Sequence, residues 1–169
     1  MKKLLATIMI LVFAITCVMA QQTRKEKRAE RRAQKIEEIK KLIDSEHFVF
    51  EAHHAIPRSG QQINLTSMYD VEFRNDSAFA YLPFFGIAYY ADLDHEGGIK
   101  FKQPMEDKEW KDEGKKGYSM KFDVTDTKDT YQLYLDISPE GYAILKVSPG
   151  RKSPITFSGI ITEKEEEEK

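Results

Sequence analysis

Histidines are the side chains in this sequence best suited to bind a metal ion or to move a proton near neutral pH. Three of the four histidines, His47, His53 and His54, fall in one stretch of alternating residues that is typical of a β-strand. Because neighbouring residues of a strand point to opposite faces, we expect His53 and His54 not to share one ion. His47 and His53 have the same phase but lie far apart along the strand. We therefore find no set of three ligands at the spacing of a zinc site.

Three carboxylates at alternate positions, Asp92, Asp94 and Glu96, precede two glycines. Oxygen ligands at this spacing, followed by glycine, resemble the start of a calcium-binding loop. The complete pattern needs a glutamate at its twelfth position, where this chain has Gln103, and Lys100 places a positive charge inside the loop. We therefore interpret the segment as a glycine-rich hairpin loop, and a calcium site at the three carboxylates is the alternative.

An aromatic-rich segment is the third feature that could bind a ligand. It begins at the end of a predicted strand, where Pro83 cannot donate to a strand ladder. Aromatic rings offer a large contact area, and tyrosine hydroxyls add directional hydrogen bonds. We expect Phe84 to plug one end of the fold and at least one of the neighbouring tyrosines to be exposed for recognition. The candidate ligand-binding residues are Tyr81, Phe84, Phe85, Tyr89 and Tyr90.

Motifs of known enzyme classes are not found in the sequence. There is no glycine-flanked nucleophile elbow, no phosphate-cradling glycine loop and no metalloprotease helix motif. Nor does any pattern predict a cofactor. We therefore expect a protein that is not an enzyme, and a hydrolase is the less favoured alternative.

The first twenty residues show the three regions of a secretory signal peptide: a basic start, an apolar run from Leu4 to Ile15, and a small-residue site ending at Ala20. The apolar run is too short to predict a membrane-spanning helix. Cys17, the only cysteine, allows the alternative of a lipid-anchored protein, but the residues before it match that signal poorly. We therefore expect cleavage after Ala20 and a mature chain without cysteine or a transmembrane span.

Residues 21–35 form a basic lead segment that is helical or disordered. Beyond it, Ile36, Ile39, Leu42 and Ile43 recur at helical spacing, so we expect an amphipathic helix whose second half docks on the core. The whole chain has a formal net charge of −2, which argues against a nucleic-acid-binding protein.

Alternating strand runs separated by short turns fill the rest of the chain. In the first run, Phe48, Phe50, Ala52, His54 and Ile56 share one phase. The next, Ile63 to Leu82, is predicted as a hairpin with its turn at Asn75.

This pattern predicts a mainly β fold of the α+β class, with one N-terminal amphipathic helix. The strands should form a curved antiparallel meander, closed like a barrel or folded like a sandwich. We expect one β-rich domain over residues 36–162 and an acidic tail over residues 163–169.

Four stretches of the sequence carry a resemblance to a known family, namely Phe48–Ala52, Ile63–Asp70, Tyr81–Gly86 and Arg151–Gly159. They resemble the bacterial domain-of-unknown-function 4251 family. The resemblance spans roughly Ile36 to Thr162, and its most specific part is the segment from Leu82 to Gly86. It implies an exported protein of Gram-negative bacteria, often predicted to be a lipoprotein, and brings no catalytic residues. We expect a location in the periplasm or at the cell envelope.

Two functions fit these features. The first is an exported binding module that holds a small apolar ligand or a peptide, because curved antiparallel sheets often enclose or present apolar pockets. The second is an envelope interaction or scaffold protein without a small ligand, in which the basic segment contacts an acidic partner or anionic lipid. The shape of the fold distinguishes them, since a lined cavity favours the first and a solid core with an exposed patch favours the second.

Overall fold

The computed structural model describes residues 24–89, 98–127 and 129–164, which contain one helix and ten strands. Helix α1 covers residues 24–44. The strands are β1 (His47–Pro57), β2 (Ile63–Asn64), β3 (Asp70–Arg74), β4 (Ser77–Leu82), β5 (Ile99–Pro104), β6 (Glu106–Asp112), β7 (Tyr118–Thr125), β8 (Thr130–Ile137), β9 (Tyr142–Pro149) and β10 (Ile155–Thr162). A short 3₁₀ turn, Gly114–Lys116, lies between β6 and β7.

All ten strands belong to one antiparallel sheet, with the order β5-β4-β3-β1-β10-β9-β8-β7-β6 and with β2 paired to β1. Its two outermost strands, β5 and β6, are consecutive in the chain and are joined by the buried Met105. Near this seam the Gln103 amide donates to Asp126 Oδ1 at 3.0 Å, and the rings of Phe101 and Tyr131 lie 5.1 Å apart. The predicted antiparallel β fold with an N-terminal helix is therefore confirmed, in its barrel-like form.

The core lies inside this nearly closed sheet. Several strands alternate buried and more exposed residues over most of their length, as β7 and β8 show clearly, whereas the edge strand β6 has no buried residue. Phe73 on β3 reaches across the interior to Phe122 on β7, with ring centroids 5.7 Å apart in an edge-on arrangement. Contacts of this kind join opposite walls of the barrel and make it one packed unit.

The phase predicted for the first strand is wrong beyond Ala52. The pairing of β1 with β10 shifts between Ala52 and His54, so His53 is an extra residue in a β-bulge. Phe48, Phe50 and Ala52 are buried as predicted, but His54 and Ile56 are half-exposed, and Ala55 is buried instead. One inserted residue turns every later side chain of the strand to the other face.

The predicted hairpin from Ile63 to Leu82 has a shorter first strand than expected. β2 ends at Asn64 and β3 begins at Asp70, and the chain between them leaves the sheet. Both ends of this detour remain bound to β1, since Leu65 donates to the His53 carbonyl and Ala52 donates to the Tyr69 carbonyl. The bulge of β1 therefore lies opposite the segment that connects β2 and β3. Met68 projects from this connecting segment, with 86% of its surface exposed.

Two compact units divide the chain, Met1–Glu37 and Glu38–Lys169. In the first unit, every described residue, from 24 to 37, is helical and exposed. With 3.6 residues per turn, its seven lysines and arginines fall within about 160° of the helix circumference, and Glu26 and Glu30 fall on the opposite side. This cationic face, made by residues 24–35, is called the basic stripe below.

In the second unit, the last two turns of α1 pack on the barrel. Ile39 and Ile43 are 6% and 4% exposed and belong to the core cluster, whereas Leu42 is partly buried. Ile39 lies on the turn between β8 and β9, where a side chain added to Gly141 would come within 2.6 Å of Ile39 Cδ1. The predicted apolar stripe therefore docks through the residues nearest the end of the helix. In the described ranges, no helix combines the length and the apolarity that a membrane crossing requires.

We expect Ile39→Ala to lower the free energy of unfolding by about 2–4 kcal/mol, because it removes buried methyl groups and leaves a cavity over Gly141. Ile36→Ala is the matched control, since Ile36 is 36% exposed and its truncation should cost less than about 1 kcal/mol. Urea unfolding of both variants, followed by circular dichroism, measures the difference. Equal losses would show that the helix does not dock through Ile39.

Candidate functional site

A pocket of about 120 Å³ opens at the end of the barrel next to the last turn of α1. Its floor is apolar because five separate segments each contribute an apolar side chain, and these side chains leave a space between them unfilled. All five of these residues are buried members of the core, and they lie far apart in the sequence. The floor consists of Ile43, Phe48, Phe73, Met105 and Met120.

The rim of this helix-end pocket is polar and charged. Lys108 on β6 places its Nζ 3.4 Å from Glu46 Oε2, 3.3 Å from the Asn75 carbonyl oxygen and 3.5 Å from Asp76 Oδ1. These contacts hold the lysine over the turn between β3 and β4. The rim residues are Asp44, Glu46, Asn75, Lys108 and Trp110.

Two rim residues have left-handed backbone conformations, Glu46 at φ 53° and Asn75 at φ 52°. Asparagine adopts this conformation readily, but a glutamate rarely does. Glu46 follows the end of α1, in the region where helices commonly have a glycine, and its N–H donates to the Ile43 carbonyl at 3.0 Å. Its own carbonyl accepts from the Asn75 N–H at 3.0 Å, so the end of the helix and the β3–β4 turn are joined.

An aromatic pair stands beside the rim. Trp110 is 37% exposed, and its ring stacks on Tyr118 with centroids 5.9 Å apart. Burial raises the pKa of Tyr118 above its ordinary value of 10.0, and the carboxylates of Asp112 and Asp44 raise it further. This end of the barrel therefore combines aromatic rings with negative potential.

The dimensions of the pocket suit a small apolar group. A cavity of about 150 Å³ lined by leucine, isoleucine and phenylalanine holds a benzene molecule. The helix-end pocket is slightly smaller, and its mouth is open to the rim. It can therefore accept a single ring or a short aliphatic chain, with any polar part of the ligand at the rim.

The aromatic residues predicted from the sequence lie at the opposite end of the barrel. Tyr81 is 49% exposed and stacks on Tyr69 at 5.6 Å, with Lys100 Nζ 5.1 Å from its ring centroid. Phe84 is partly buried against the core, and Lys152 lies over its ring. The segment after Phe84 is held to the β9–β10 turn by a bridge between Ala88 and Lys152.

The remaining predicted aromatic residues are more exposed. Phe85 is 38% exposed and Tyr89 is 54% exposed, and neither they nor Tyr81 and Phe84 line the helix-end pocket. The structure thus gathers the described members of the predicted set into one surface region but not into that pocket. Further residues named from the sequence lie outside the described ranges, namely Cys17, Tyr90, Asp92, Asp94 and Glu96.

The three histidines of β1 lie on the outer face of the barrel. Because of the bulge, His53 and His54 both line one open groove, so the expectation that they face opposite sides is wrong. His53 Nε2 is 3.2 Å from Glu51 Oε1, and His54 Nδ1 is 3.5 Å from Ser158 Oγ. Within the described ranges, no three side chains of the metal-binding types are grouped to hold an ion.

Neighbouring carboxylates on β3 have opposite pKa shifts. Partial burial raises the pKa of Glu72, but hydrogen bonds from Lys164 and Arg74 outweigh it and hold the pKa below the ordinary 4.5. Burial raises the pKa of Asp70 above the ordinary 3.8, and the charges of Glu72 and Glu51 raise it further, against the opposing effect of Lys164. Ionised Glu72 therefore stabilises the fold, whereas ionised Asp70 destabilises it.

We expect Asp70→Asn to raise the melting temperature at pH 7 and to leave it nearly unchanged at pH 3. A carboxyl whose folded pKa is raised costs stability as the pH rises through its unfolded pKa, and the full cost is present above its folded pKa. Below about pH 3.8 both states bind the proton, so the amide has no advantage. Thermal unfolding between pH 3 and pH 8 measures the difference.

Asp136→Asn is the control for this experiment, because Asp136 is exposed and only pairs with Lys146 at 3.6 Å. A gain for Asp70→Asn that is the same at every pH would contradict the account.

Sequence reasoning missed the helix-end pocket because its lining comes from segments that meet only when the barrel closes. One signal was present, since Trp110 is the only tryptophan and stands in a strongly charged strand. A large ring on an edge strand of this composition indicates either an interface or the rim of a site.

Comparison with known proteins places the chain in a family. No curated protein matches it. It is similar in fold to a crystal structure of a DUF4251 family protein from Bacteroides eggerthii, with a TM-score of 0.61 and 19% identity, over 78% of this chain and 89% of that one. The family model described as "Domain of unknown function (DUF4251)" matches residues 30–161. The resemblance found in the sequence is thus confirmed, and the chain belongs to the DUF4251 family.

Proposed function

We propose that this protein is an exported, non-catalytic binding module for a small apolar ligand, held in the helix-end pocket. The observation that carries the proposal is the pocket itself, an apolar hollow of about 120 Å³ with a polar rim. A few polar groups around an apolar floor are the usual composition of small-molecule sites. The volume favours a small molecule over a peptide.

The chemistry of the lining supports binding rather than catalysis. Among the residues described around this pocket there is no serine, threonine, cysteine or histidine, the side chains that most often act as nucleophile or proton carrier. Lys108 already contacts the carboxylates of Glu46 and Asp76, at 3.4 and 3.5 Å. The site therefore offers shape and charge, and no activated group.

The test is a nuclear magnetic resonance titration of protein carrying ¹³C-methyl methionine with benzyl alcohol as ligand. Met105 and Met120 line the pocket, so their methyl signals should shift, with a dissociation constant of about 1 mM for a ligand of this size. Met68 is 86% exposed and remote in sequence, and its signal should not move.

Two variants sharpen this titration. Trp110→Ala removes an aromatic wall of the rim and should weaken binding about five-fold or more. Tyr142→Ala removes a more exposed ring, 66% exposed, that lines the outer groove instead, and should leave the affinity unchanged. The proposal would be overturned if the methyl signals of Met105 and Met120 show no saturable shift. It would also be overturned if Trp110→Ala and Tyr142→Ala weaken binding equally.

Export is supported by the signal-peptide pattern of residues 1–20. Native mass spectrometry of protein purified from the envelope of its own cells tests this step. We expect a mature chain that begins at Gln21, in the periplasm or at the cell envelope. A chain that begins at an acylated Cys17 would show lipid anchoring instead, and a chain that begins at Met1 would show that it is not exported.

A second candidate function is an interaction role at an anionic surface of the envelope. The specific observation in its favour is the basic stripe, whose seven cations lie on one side of an exposed helix. Co-sedimentation with vesicles that contain anionic lipid tests it, with and without replacement of Arg24, Arg28 and Arg31 by glutamine. Binding that persists in the triple variant, or that is absent from the parent protein, would exclude this function.

A further inference from the structure

We infer that the ligand of the helix-end pocket carries a cationic group, such as a protonated amine, next to its apolar part. The inference rests on the proposed function and adds the charge of the ligand. It depends on the rim, where an unpaired carboxylate, the end of a helix and an aromatic ring meet around the mouth of the pocket.

Asp44 is the first of these features. It lines the pocket at the last residue of α1, and within the described part of the chain no hydrogen bond or ion pair to it is found. The carboxyl end of a helix already carries a partial negative charge, so an acidic side chain at this position is unfavourable for the free protein. A bound cation would remove that penalty and be attracted by both charges.

The remaining rim charges also favour a cation. Lys108 is the one basic residue of the lining, and its charge is already matched by Glu46 and Asp76, at 3.4 and 3.5 Å. An anionic ligand would have to compete with these two carboxylates for Lys108 and would face Asp44 without compensation. A cationic ligand leaves the lysine contacts unchanged.

Trp110 supplies the third feature. One face of the Trp110 ring stacks on Tyr118, so the other face of the indole is turned away from Tyr118. The face of an indole attracts cations within about 6 Å of its centroid. Beyond the effect of burial, the charges of Asp112 and Asp44 raise the pKa of Tyr118, and Asp112 is paired with Tyr118 across β6 and β7, so the aromatic pair stands near negative charge.

The experiment compares three test ligands that share one ring and differ in charge: benzylamine, benzyl alcohol and benzoate. Each is titrated into the full mature chain at pH 7 and low salt, with the Met105 and Met120 methyl signals as the readout. We expect benzylamine to bind about five-fold more tightly than benzyl alcohol, and benzoate to bind least. Added salt should reduce this preference, because the charged rim is exposed to solvent.

Asp44→Asn is the variant that tests the cause. It should weaken benzylamine binding about three-fold or more and change benzyl alcohol binding less than about two-fold. The same change should raise the melting temperature of the free protein, since it removes an anion from the end of a helix. Asp136→Asn, which removes an exposed carboxylate on the outer face, is the matched control and should leave both affinities unchanged.

The outcomes separate the two proposals. If none of the three ligands shifts the pocket methyl signals, the proposed binding function itself fails. If benzyl alcohol or benzoate binds as tightly as benzylamine, or if Asp44→Asn affects the amine and the alcohol equally, the binding function stands and the inference of a cationic ligand is wrong.

Discussion

Replacing Gly159 with alanine is expected to cost more than about 3 kcal/mol of folding free energy, which is a large part of the stability of a domain of this size. Gly159 lies on β10 opposite Ala52, next to the bulge of β1. A Cβ atom at this position would stand 1.8 Å from the Glu51 carbonyl oxygen and 3.1 Å from the Ala52 Cα. Both obstacles are backbone atoms, so relief requires β1 and β10 to separate.

Urea unfolding followed by circular dichroism measures this loss, and Gly60→Ala is its control. Gly60 has a left-handed φ of 83°, but nothing lies within 4 Å of an added Cβ. Alanine there should cost only the conformational strain, about 1–2 kcal/mol. If the backbones of β1 and β10 meet closely at the bulge, Gly159→Ala loses more stability than Gly60→Ala, although the φ of Gly159 is ordinary. A smaller loss at Gly159 than at Gly60 would contradict this close approach.

Phe73→Ala is expected to cost about 3–5 kcal/mol, the usual loss for a large ring removed from a packed core. Phe73 is 1% exposed and touches two other rings, Phe48 at 4.8 Å and Phe122 at 5.7 Å between centroids. The second contact joins β3 to β7 across the barrel, so neighbouring strands cannot close the resulting gap. Because Phe73 also lines the helix-end pocket, the variant should enlarge that pocket.

Phe79→Ala is the matched control, since Phe79 belongs to the same hairpin but faces outward. Its ring is half-buried beneath Arg74 and Lys102, whose charged groups lie 5.3 and 5.0 Å from its centroid. Truncation should cost about 1 kcal/mol, mainly through lost cation–π contact. Urea unfolding at pH 7 measures both variants, and similar losses would mean that Phe73 does not bridge the two walls.

Alternation of apolar and polar residues was enough to predict most of the barrel. In β7 and β8 one face is buried and the other is solvated, so a period of two gives both the strand and its orientation. Alternation gave the wrong face at the end of β1. Ala52, His54 and Ile56 alternate regularly in the sequence, but the structure buries Ala55 in place of His54 and Ile56. The signal that could have revealed the bulge was Gly159 on the partner strand, since a glycine inside a strand often marks a close backbone approach.

The helix-end pocket could not be predicted in the same way. Alternation shows that Phe48, Phe73 and Met120 face inward, but not that they leave space between them. That space depends on how β5 and β6 meet at Met105 and on where the end of α1 comes to rest. By contrast, Tyr81, Phe85 and Tyr89 were conspicuous in the sequence because they cluster there, and the structure leaves them at the surface of the opposite end.

The measurement that tests the central claim most directly is a set of intermolecular nuclear Overhauser effects between benzylamine and the protein. We expect contacts from the ring protons to the methyl groups of Ile43, Met105 and Met120, which would place the ring in the helix-end pocket. Contacts to Tyr81, Phe85 and Tyr89 would move the binding site to the other end of the barrel and contradict the account.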